Sequence, residues 1–322
     1  MPAITYTKEA LSRFGEVISK EWLITNGLGG YASSSIPGVN TRKYHGLLVA
    51  ALNPPGDRTV CLSKLDEDVI VGNATYRFGA NEFQDGFFPE GYTLIKQFSI
   101  SPFPTYIYEA GDLTLEKTIV MPQNRNAVAI IYHLQNEAAS EATVRLYPLL
   151  TYRYFHTVID RHRTPLDFKT ENKPDAFQVT FQYPPATLVC RVTEGKFVDG
   201  AKWIDHLHYR DEAERGEASV DDCFQPGFFE LSVAAKSEKE FALTAALSRQ
   251  SQTAKHALDY IGVNISEVKS THNREIANRV MLLENFSQFQ PEVPMSDWLD
   301  WIVLAADSFL VESELGRKAI IA

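Results

Sequence analysis

The strongest constraint on the fold is an alternation of apolar and polar residues that dominates from about Ala50 to Ser248. Between Ala176 and Tyr183 the aromatic and valine side chains fall on one face, and glutamine and threonine fall on the other. This period of two is typical of a half-buried β-strand, and it recurs at 141–148 and 240–248. Because no helical segments separate these strands, we expect an antiparallel sandwich rather than a parallel α/β sheet.

After residue 248 the apolar period lengthens to that of an α-helix. A helical face from Ala254 to Ile261 stops at Gly262, a residue that commonly ends a helix. Beyond Pro294, apolar residues at helical spacing predict an amphipathic helix from Trp298 to Leu310, which needs a partner surface. The sequence therefore predicts a β domain over 1–248 and a helical segment over 249–322.

The end of the chain suggests that it belongs to something longer. Residues 317–322 begin an apolar run that closes without a turn or a cap. We expect such a run to be the start of a further element.

Composition narrows the class of partner. The chain carries 31 basic and 41 acidic residues, a net charge of −10. That balance argues against a nucleic acid or an anionic membrane, and it suits neutral ligands such as sugars. The three cysteines, Cys61, Cys190 and Cys223, lack the spacing of a zinc site or a disulfide framework. With no leader and no membrane-length apolar run, the sequence predicts a cytoplasmic protein.

The glycines that follow Glu21 fit a motif found in cofactor-binding proteins. Gly27, Gly29 and Ala32 fit the dinucleotide fingerprint G-x-G-x-x-A. However, the Ser-Ser-Ser-Ile-Pro-Gly segment at 33–38 cannot open the helix that this fingerprint requires. We expect a glycine-rich turn between two strands, and no cofactor.

Two short clusters combine cations, imidazoles and aromatic rings. Arg42, Lys43, Tyr44 and His45 form one, and residues 152–156, which contain Arg153 and His156, form the other. Sugar sites pair planar polar groups with aromatic platforms, and both clusters supply these groups. The alternative is that Arg42 and Lys43 lie on a solvated edge while Tyr44 and His45 cap a core.

Other chemistry has weaker support. His206 and His208 would share one face of a strand, but no third metal ligand is evident. The acidic clusters at 66–68, 211–214 and 221–222 could in principle furnish a glycosidase pair. In so acidic a chain we expect most of these carboxylates to be solvated, and no catalytic residue is predicted.

Several segments together resemble a known family. They are EWLITNGLGGYASSSIPGVNTRKYHGLLVAAL at 21–52, GYTLIKQFSISPFPTYIYE at 91–109, LEKTIVM at 115–121, YPLLTYRYFH at 147–156, YRDEAERGEASVDDCFQPGFF at 209–229 and LAADSFLV at 304–311. In this order they resemble the N-terminal domain of the bacterial and archaeal type of glycogen debranching enzyme, the amylo-α-1,6-glucosidase family. The resemblance spans nearly the whole chain.

This resemblance implies a large antiparallel β-supersandwich of the galactose mutarotase-like kind, similar to those preceding bacterial glucoamylases and maltose phosphorylases. It also implies a helical linker and then an (α/α)₆ barrel that holds the catalytic carboxylates, so none can be assigned to this chain. The whole protein would hydrolyse α-1,6-linked glucose stubs on glycogen or amylopectin, with a branched α-glucan and its own barrel as partners.

The loops at 26–31 and 42–45 are then expected to face the barrel mouth, with Tyr44 or Trp22 stacking on glucose and Asn26, Arg42 and His45 bonding to hydroxyls. The full predicted substrate-binding set is Trp22, Asn26, Tyr31, Arg42, Lys43, Tyr44, His45, Arg153 and His156. Three alternatives stay open at this point: a stand-alone α-glucan-binding module, a 4-α-glucanotransferase, and a purely structural support for the barrel.

Overall fold

The computed structural model describes residues 3–164, 168–294, 296–313 and 315–321. The strands in this part of the chain are β1 Ile4–Thr7, β2 Glu21–Thr25, β3 Tyr31–Ser35, β4 Gly46–Asn53, β5 Gly56–Val71, β6 Ala74–Arg77, β7 Ala80–Phe83, β8 Gly86–Glu90, β9 Ile95–Ile100, β10 Pro104–Ala110, β11 Leu113–Val120, β12 Ala127–Asn136, β13 Ala142–Tyr154, β14 Lys169–Asn172, β15 Ala176–Gln182, β16 Pro185–Val192, β17 Lys196–His208, β18 Val220–Val233, β19 Ser237–Ser248, β20 Leu310–Glu312 and β21 Lys318–Ile320. The helices are α1 Lys8–Leu11, α2 Phe14–Val17, α3 Arg210–Glu214, α4 Ser251–Ile261, α5 Ile265–Phe289 and α6 Asp297–Asp307, with a 3-10 turn at Gly91–Leu94.

Two large antiparallel sheets form the body of the molecule. One has the strand order β1-β9-β10-β11-β12-β19-β16-β15-β14, and the other has the order β17-β18-β13-β5-β4-β3-β2, with β6 beside β5. One apolar core draws on both sheets, with Leu48 and Leu62 from the second and Ile130 and Leu243 from the first. The predicted fold class, a mainly β antiparallel supersandwich followed by helices, is confirmed.

The strand at 240–248 is buried on both faces rather than on one. Residues 241–247 are all buried in β19, including the polar Thr244. Helix α4 packs against β16 and β19, and it contributes the buried residues Ala254 and Leu258. The helices after β19 therefore cover the outer face that sequence alternation alone would leave to solvent.

The helical segment ends differently from its prediction. Helix α4 stops at Gly262, whose φ of 131° is in the region that favours glycine, as expected. Helix α6 ends at Asp307, so the predicted helix to Leu310 was too long. Leu310 instead begins β20, which pairs with β21, and the Glu312 N–H donates to the Gly27 carbonyl at 2.8 Å. The predicted element at 317–322 contains β21, while Ala322 lies outside the described residues.

A buried charge cluster joins the two sheets. Glu67 on β5 is fully buried; its Oε1 lies 2.5 Å from Lys117 Nζ on β11 and accepts a hydrogen bond from the Tyr132 hydroxyl at 2.6 Å. Burial raises the pKa of Glu67, although Lys117 opposes the shift. The expectation that the acids at 66–68 are solvated was therefore wrong for Glu67. Its partners come from distant strands, which the local sequence does not reveal.

Replacing Lys117 by methionine should destabilise the protein by about 3–5 kcal/mol, because it leaves the Glu67 carboxylate buried without its counter-charge. Urea denaturation followed by circular dichroism measures the change. A matched control is Lys96→Met, which removes an ion pair with Glu109 between half-exposed side chains. If both variants lose the same small amount of stability, the Lys117–Glu67 pair does not have the importance assigned to it.

Candidate functional site

The glycine-rich segment forms the turn between β2 and β3. Gly27 and Gly29 have φ values of 72° and 90°, and a Cβ on Gly29 would lie 2.4 Å from the Pro55 carbonyl oxygen. Only glycine meets both requirements without strain. The predicted turn between two strands is confirmed, and no helix follows it.

Asn26 organises this turn from the inside. Its side-chain oxygen accepts from the N–H groups of Leu28 and Gly30 at 2.9 and 3.0 Å, and its amide donates to the Arg125 carbonyl and Asn126 Oδ1. These contacts occupy both donors and both lone pairs, and the residue is fully buried. Asn26 therefore does not fit the predicted contact with a sugar hydroxyl; it holds the loop in place.

Alternation along β2 decides which side chains face outward. Trp22 points into the core, is 2% exposed and donates from Nε1 to the Tyr106 hydroxyl at 2.8 Å. Its neighbours Glu21 and Leu23 project from the opposite face, and Leu23 is 55% exposed. Trp22 borders the adjoining cleft, but because its ring is buried in the core it does not fit the predicted stacking role; Glu21 and Leu23 take the outward positions.

The Arg42–His45 loop is joined to β2 through Glu21. The Arg42 guanidinium pairs with the Glu21 carboxylate, and its Nε also lies 3.1 Å from Asp211 Oδ2. His45 Nδ1 accepts from the Thr41 N–H at 3.1 Å, so a neutral ring carries its proton on Nε2, which lies 3.5 Å from Glu21 Oε1. Arg42 and His45 thus approach the same carboxylate oxygen.

The side chains of Lys43 and Arg153 are buried on the inner side of the loop. Lys43 is 5% exposed and pairs with Glu217, while its backbone N–H donates to Glu212 Oε2 at 3.0 Å. Arg153 pairs with Asp221 at 2.8 Å and donates to the Lys43 carbonyl at 2.7 Å. The alternative of a solvated edge was wrong for Lys43, as was the expected solvation of Glu212 and Asp221, which are both fully buried. Neither Lys43 nor Arg153 fits the predicted sugar contact.

Aromatic residues complete the arrangement. The Tyr31 hydroxyl donates to the Tyr44 carbonyl at 2.7 Å, and the Tyr44 hydroxyl lies 3.1 Å from His156 Nδ1. The Tyr44 ring also meets the Phe155 ring edge-on, with 5.5 Å between centroids. The two clusters identified in the sequence are therefore in contact, as one aromatic and imidazole group.

A cleft of about 490 Å³ lies on the outer face of β2 and β3, and it is lined by Tyr31, Tyr44 and Phe155 but not by His156. We call it the Tyr31 cleft; its lining includes Glu21, Leu23, Tyr31, Arg42, Tyr44 and Phe309. The segment 308–311 and Ile321 form another part of the wall, with Phe309 49% exposed. The cleft thus combines aromatic and aliphatic surface with the Glu21–Arg42 pair and the guanidinium of Arg58.

Glu21 is ionised at neutral pH. Partial burial by itself raises the pKa of its carboxyl group, but hydrogen bonds and charge attraction from His45 and Arg42 outweigh burial and lower the pKa from 4.5 to about 2. The cleft therefore presents a fixed carboxylate beside a guanidinium.

The cleft contains several residues that the sequence did not predict as binding residues, among them Glu21, Leu23 and Phe309. The alternation along Glu21–Thr25, applied with Trp22 pointing inward, would have indicated the first two. Phe309 was assigned to a helix, so its place beside the turn could not be anticipated. Elsewhere, the described residues contain no group of three or more His, Cys, Asp or Glu suited to a metal ion, and none of their helices has both the length and the apolar character of a membrane span.

Comparison with known proteins gives one family match. Residues 20–240 match the family described as glycogen debranching enzyme N terminal, and no curated protein matches the chain. Similar solved structures include a provisionally assigned kojibiose phosphorylase from the human microbiome, with 10% identity, a TM-score of 0.47, and coverage of 86% of this chain and 38% of that one. A bacterial glucoamylase complexed with acarbose has 11% identity, a TM-score of 0.46, and coverage of 91% and 39%. An aldose epimerase homologue from C. elegans has 10% identity, a TM-score of 0.40, and coverage of 71% and 98%. The chain therefore spans less than two fifths of the first two proteins.

The ion pairs of Glu21 should make a pH-dependent contribution to stability. Because the folded-state pKa of Glu21 is lowered to about 2, its contribution is present above pH 4.5 and is lost as the pH falls towards 2. Glu21→Gln should lower the free energy of unfolding at pH 7 by about 1 kcal/mol, a value discounted for the partial exposure of the side chain.

Urea denaturation of the wild type and Glu21→Gln between pH 2 and 7 measures this difference, with Glu109→Gln as a control for losing an exposed ion pair. We expect the Glu21 difference to shrink below pH 4.5. A difference that stays constant down to pH 2 would contradict the assigned pairing.

Proposed function

Since the chain belongs to the glycogen debranching enzyme N-terminal family, we propose that it is a glycan-contacting, non-catalytic domain and that an α-glucan chain lies in the Tyr31 cleft. The whole protein, in this proposal, hydrolyses α-1,6-linked stubs of glycogen or an amylopectin-like glucan. The observation that carries the proposal is the joining of Tyr31, Tyr44 and the Glu21–Arg42 pair in one cleft.

The chemistry of the cleft suits a neutral sugar. Glucose units present hydroxyl groups around their rim and C–H groups on their faces, so they pack on aromatic rings and bond to planar polar groups. Tyr44 and Phe309 supply partly exposed rings, and Glu21 and Arg42 supply an acceptor and donors. The segment 308–311, which follows β19 in the sequence, also lines the cleft. A bound glucan would therefore contact both the β domain and the segment after it.

The same groups do not favour hydrolysis within the cleft. A glycosidase of the two-carboxylate kind needs one protonated acid to donate to the leaving oxygen and a second carboxylate opposite it. Glu21, with a pKa of about 2, is ionised at neutral pH and does not supply that acid. We therefore propose that the reacting carboxylates belong to another part of the protein.

We propose that residues 1–248 are the β-supersandwich domain and that 249–322 lead to an (α/α)₆ barrel, as the resemblance implies. Exposed apolar side chains on and after α6 support a packed neighbour here: Trp298 is 65% exposed and Ile302 is 53% exposed. A cytoplasmic location belongs to the same proposal, and Cys61, Cys190 and Cys223 are buried free thiols.

Removing the rings of the cleft tests its role. Tyr44→Ala and Phe309→Ala should each weaken maltohexaose binding to the 322-residue chain about three- to tenfold, because each removes apolar surface under a sugar ring. Isothermal titration calorimetry measures the affinity. Tyr183→Ala is the matched control, since Tyr183 is 87% exposed and does not line the cleft.

Equal affinity in the wild type and both cleft variants would place binding elsewhere on the molecule. If the wild type releases no heat with millimolar maltohexaose, the chain does not bind the glucan by itself, and this result favours a purely supporting role.

A further inference from the structure

Within the described residues, only one oxygen of the Glu21 carboxylate, Oε1, accepts a hydrogen bond. Both recorded partners, the Arg42 guanidinium and the His45 Nε2, approach Oε1. No hydrogen bond to Oε2 is recorded from the described residues. The Glu21 side chain is 32% exposed and lines the Tyr31 cleft, so Oε2 is available to a ligand there.

Arg42 offers the complementary group. Its Nε is occupied by Glu21 and Asp211. Within the described chain no hydrogen bond is recorded from its two terminal nitrogens, and the side chain is 29% exposed. Because a guanidinium is planar and its donors lie at fixed angles, the two terminal nitrogens of Arg42, which also lines the Tyr31 cleft, can donate to a ligand bound beside Glu21.

We propose that Glu21 and Arg42 form a subsite for a vicinal diol of a hexose, with Glu21 accepting from one hydroxyl and Arg42 donating to its neighbour. This inference rests on the proposed function of the Tyr31 cleft and names the group recognised within it. An internal unit of an α-1,4-glucan keeps its 2- and 3-hydroxyls as an adjacent pair. That diol is therefore the group expected at the subsite.

The surrounding contacts make the pair rigid before a ligand arrives. His45 is 1% exposed and its ring is fixed by the Thr41 N–H. The Lys43 backbone, next to Arg42, is held by Glu212 on one side and Arg153 on the other. A pair held in this way loses little conformational freedom when a sugar binds, which favours affinity.

The competing explanation is that Glu21 and Arg42 only tie the loop to β2. Both explanations predict that a variant weakens binding, so the test must include the hydroxyls of the ligand. We compare maltotriose with analogues whose central glucose lacks the 2-, the 3- or the 6-hydroxyl. Each is titrated calorimetrically into the 322-residue wild type, Glu21→Gln and Arg42→Lys, with Glu109→Gln as the matched control.

We expect the wild type and Glu109→Gln to bind the 2- and 3-deoxy analogues about ten- to hundredfold more weakly than maltotriose, as is usual for hydrogen bonds to charged groups. Glu21→Gln should bind maltotriose more weakly by a similar factor. Further loss of the hydroxyl bonded to Glu21 should then matter little, whereas loss of the neighbouring hydroxyl, still bonded to Arg42, should keep its effect. The 6-deoxy analogue should lose the same factor in every variant. Arg42→Lys keeps the charge but loses the planar set of donors, so it should show the converse pattern: loss of the hydroxyl bonded to Arg42 should matter little, and loss of the one bonded to Glu21 should keep its effect.

The diol subsite is overturned if Glu21→Gln binds maltotriose like the wild type. It is equally overturned if both the 2- and the 3-deoxy analogue lose the same factor in Glu21→Gln as in the wild type, which is the result of a purely structural pair. If Glu21→Gln does not fold, Arg42→Lys decides by the same comparison. Failure of the wild type to bind maltotriose or maltohexaose at millimolar concentration instead overturns the proposed function.

Discussion

The pleat of strand β2 is the constraint on which the cleft depends. Trp22 fills the core and donates to Tyr106 on the opposite sheet, and this contact fixes which face of the strand is buried. Glu21 and Leu23 must then face outward, towards the Tyr31 cleft. Because a slip of one residue would reverse every side chain of the strand, the same packing that stabilises the sandwich also sets the chemistry of its outer surface.

A second requirement is that the Arg42–His45 loop stay in one position. Buried charges are costly unless they are paired, and removing one partner strongly favours rearrangement or unfolding. Arg153 and Asp221 form a buried ion pair on the inner side of the loop, and Arg153 also donates to the Lys43 carbonyl. The loop therefore presents Arg42 and Tyr44 in a defined geometry. The inner side of the loop thus takes part in a structural ion-pair network, and its outer side presents groups that can bind a ligand.

The sequence predicts those features whose signal is local. The strand predicted at 176–183 is present as β15. The helix before Gly262 ends at that residue, as predicted, because glycine has no Cβ and adopts the positive φ found there without strain. Burial of charge was not predictable. Glu67 looks like one acid among many until Lys117, from another sheet, is placed beside it. Of the candidate site, the sequence indicated Tyr44 and His156 in two separate clusters but did not predict that they are in contact. The inward turn of Trp22 depends on Tyr106, which is 84 residues away.

We propose that the glucan contacts the Tyr31 cleft and not another surface of the protein. A crystal structure of the 322-residue chain with maltohexaose tests it most directly. We expect glucose units packed against Tyr44 and Phe309, with a 2,3-diol bonded to Glu21 and Arg42. Ordered sugar bound only at another surface, with the cleft empty, would contradict it.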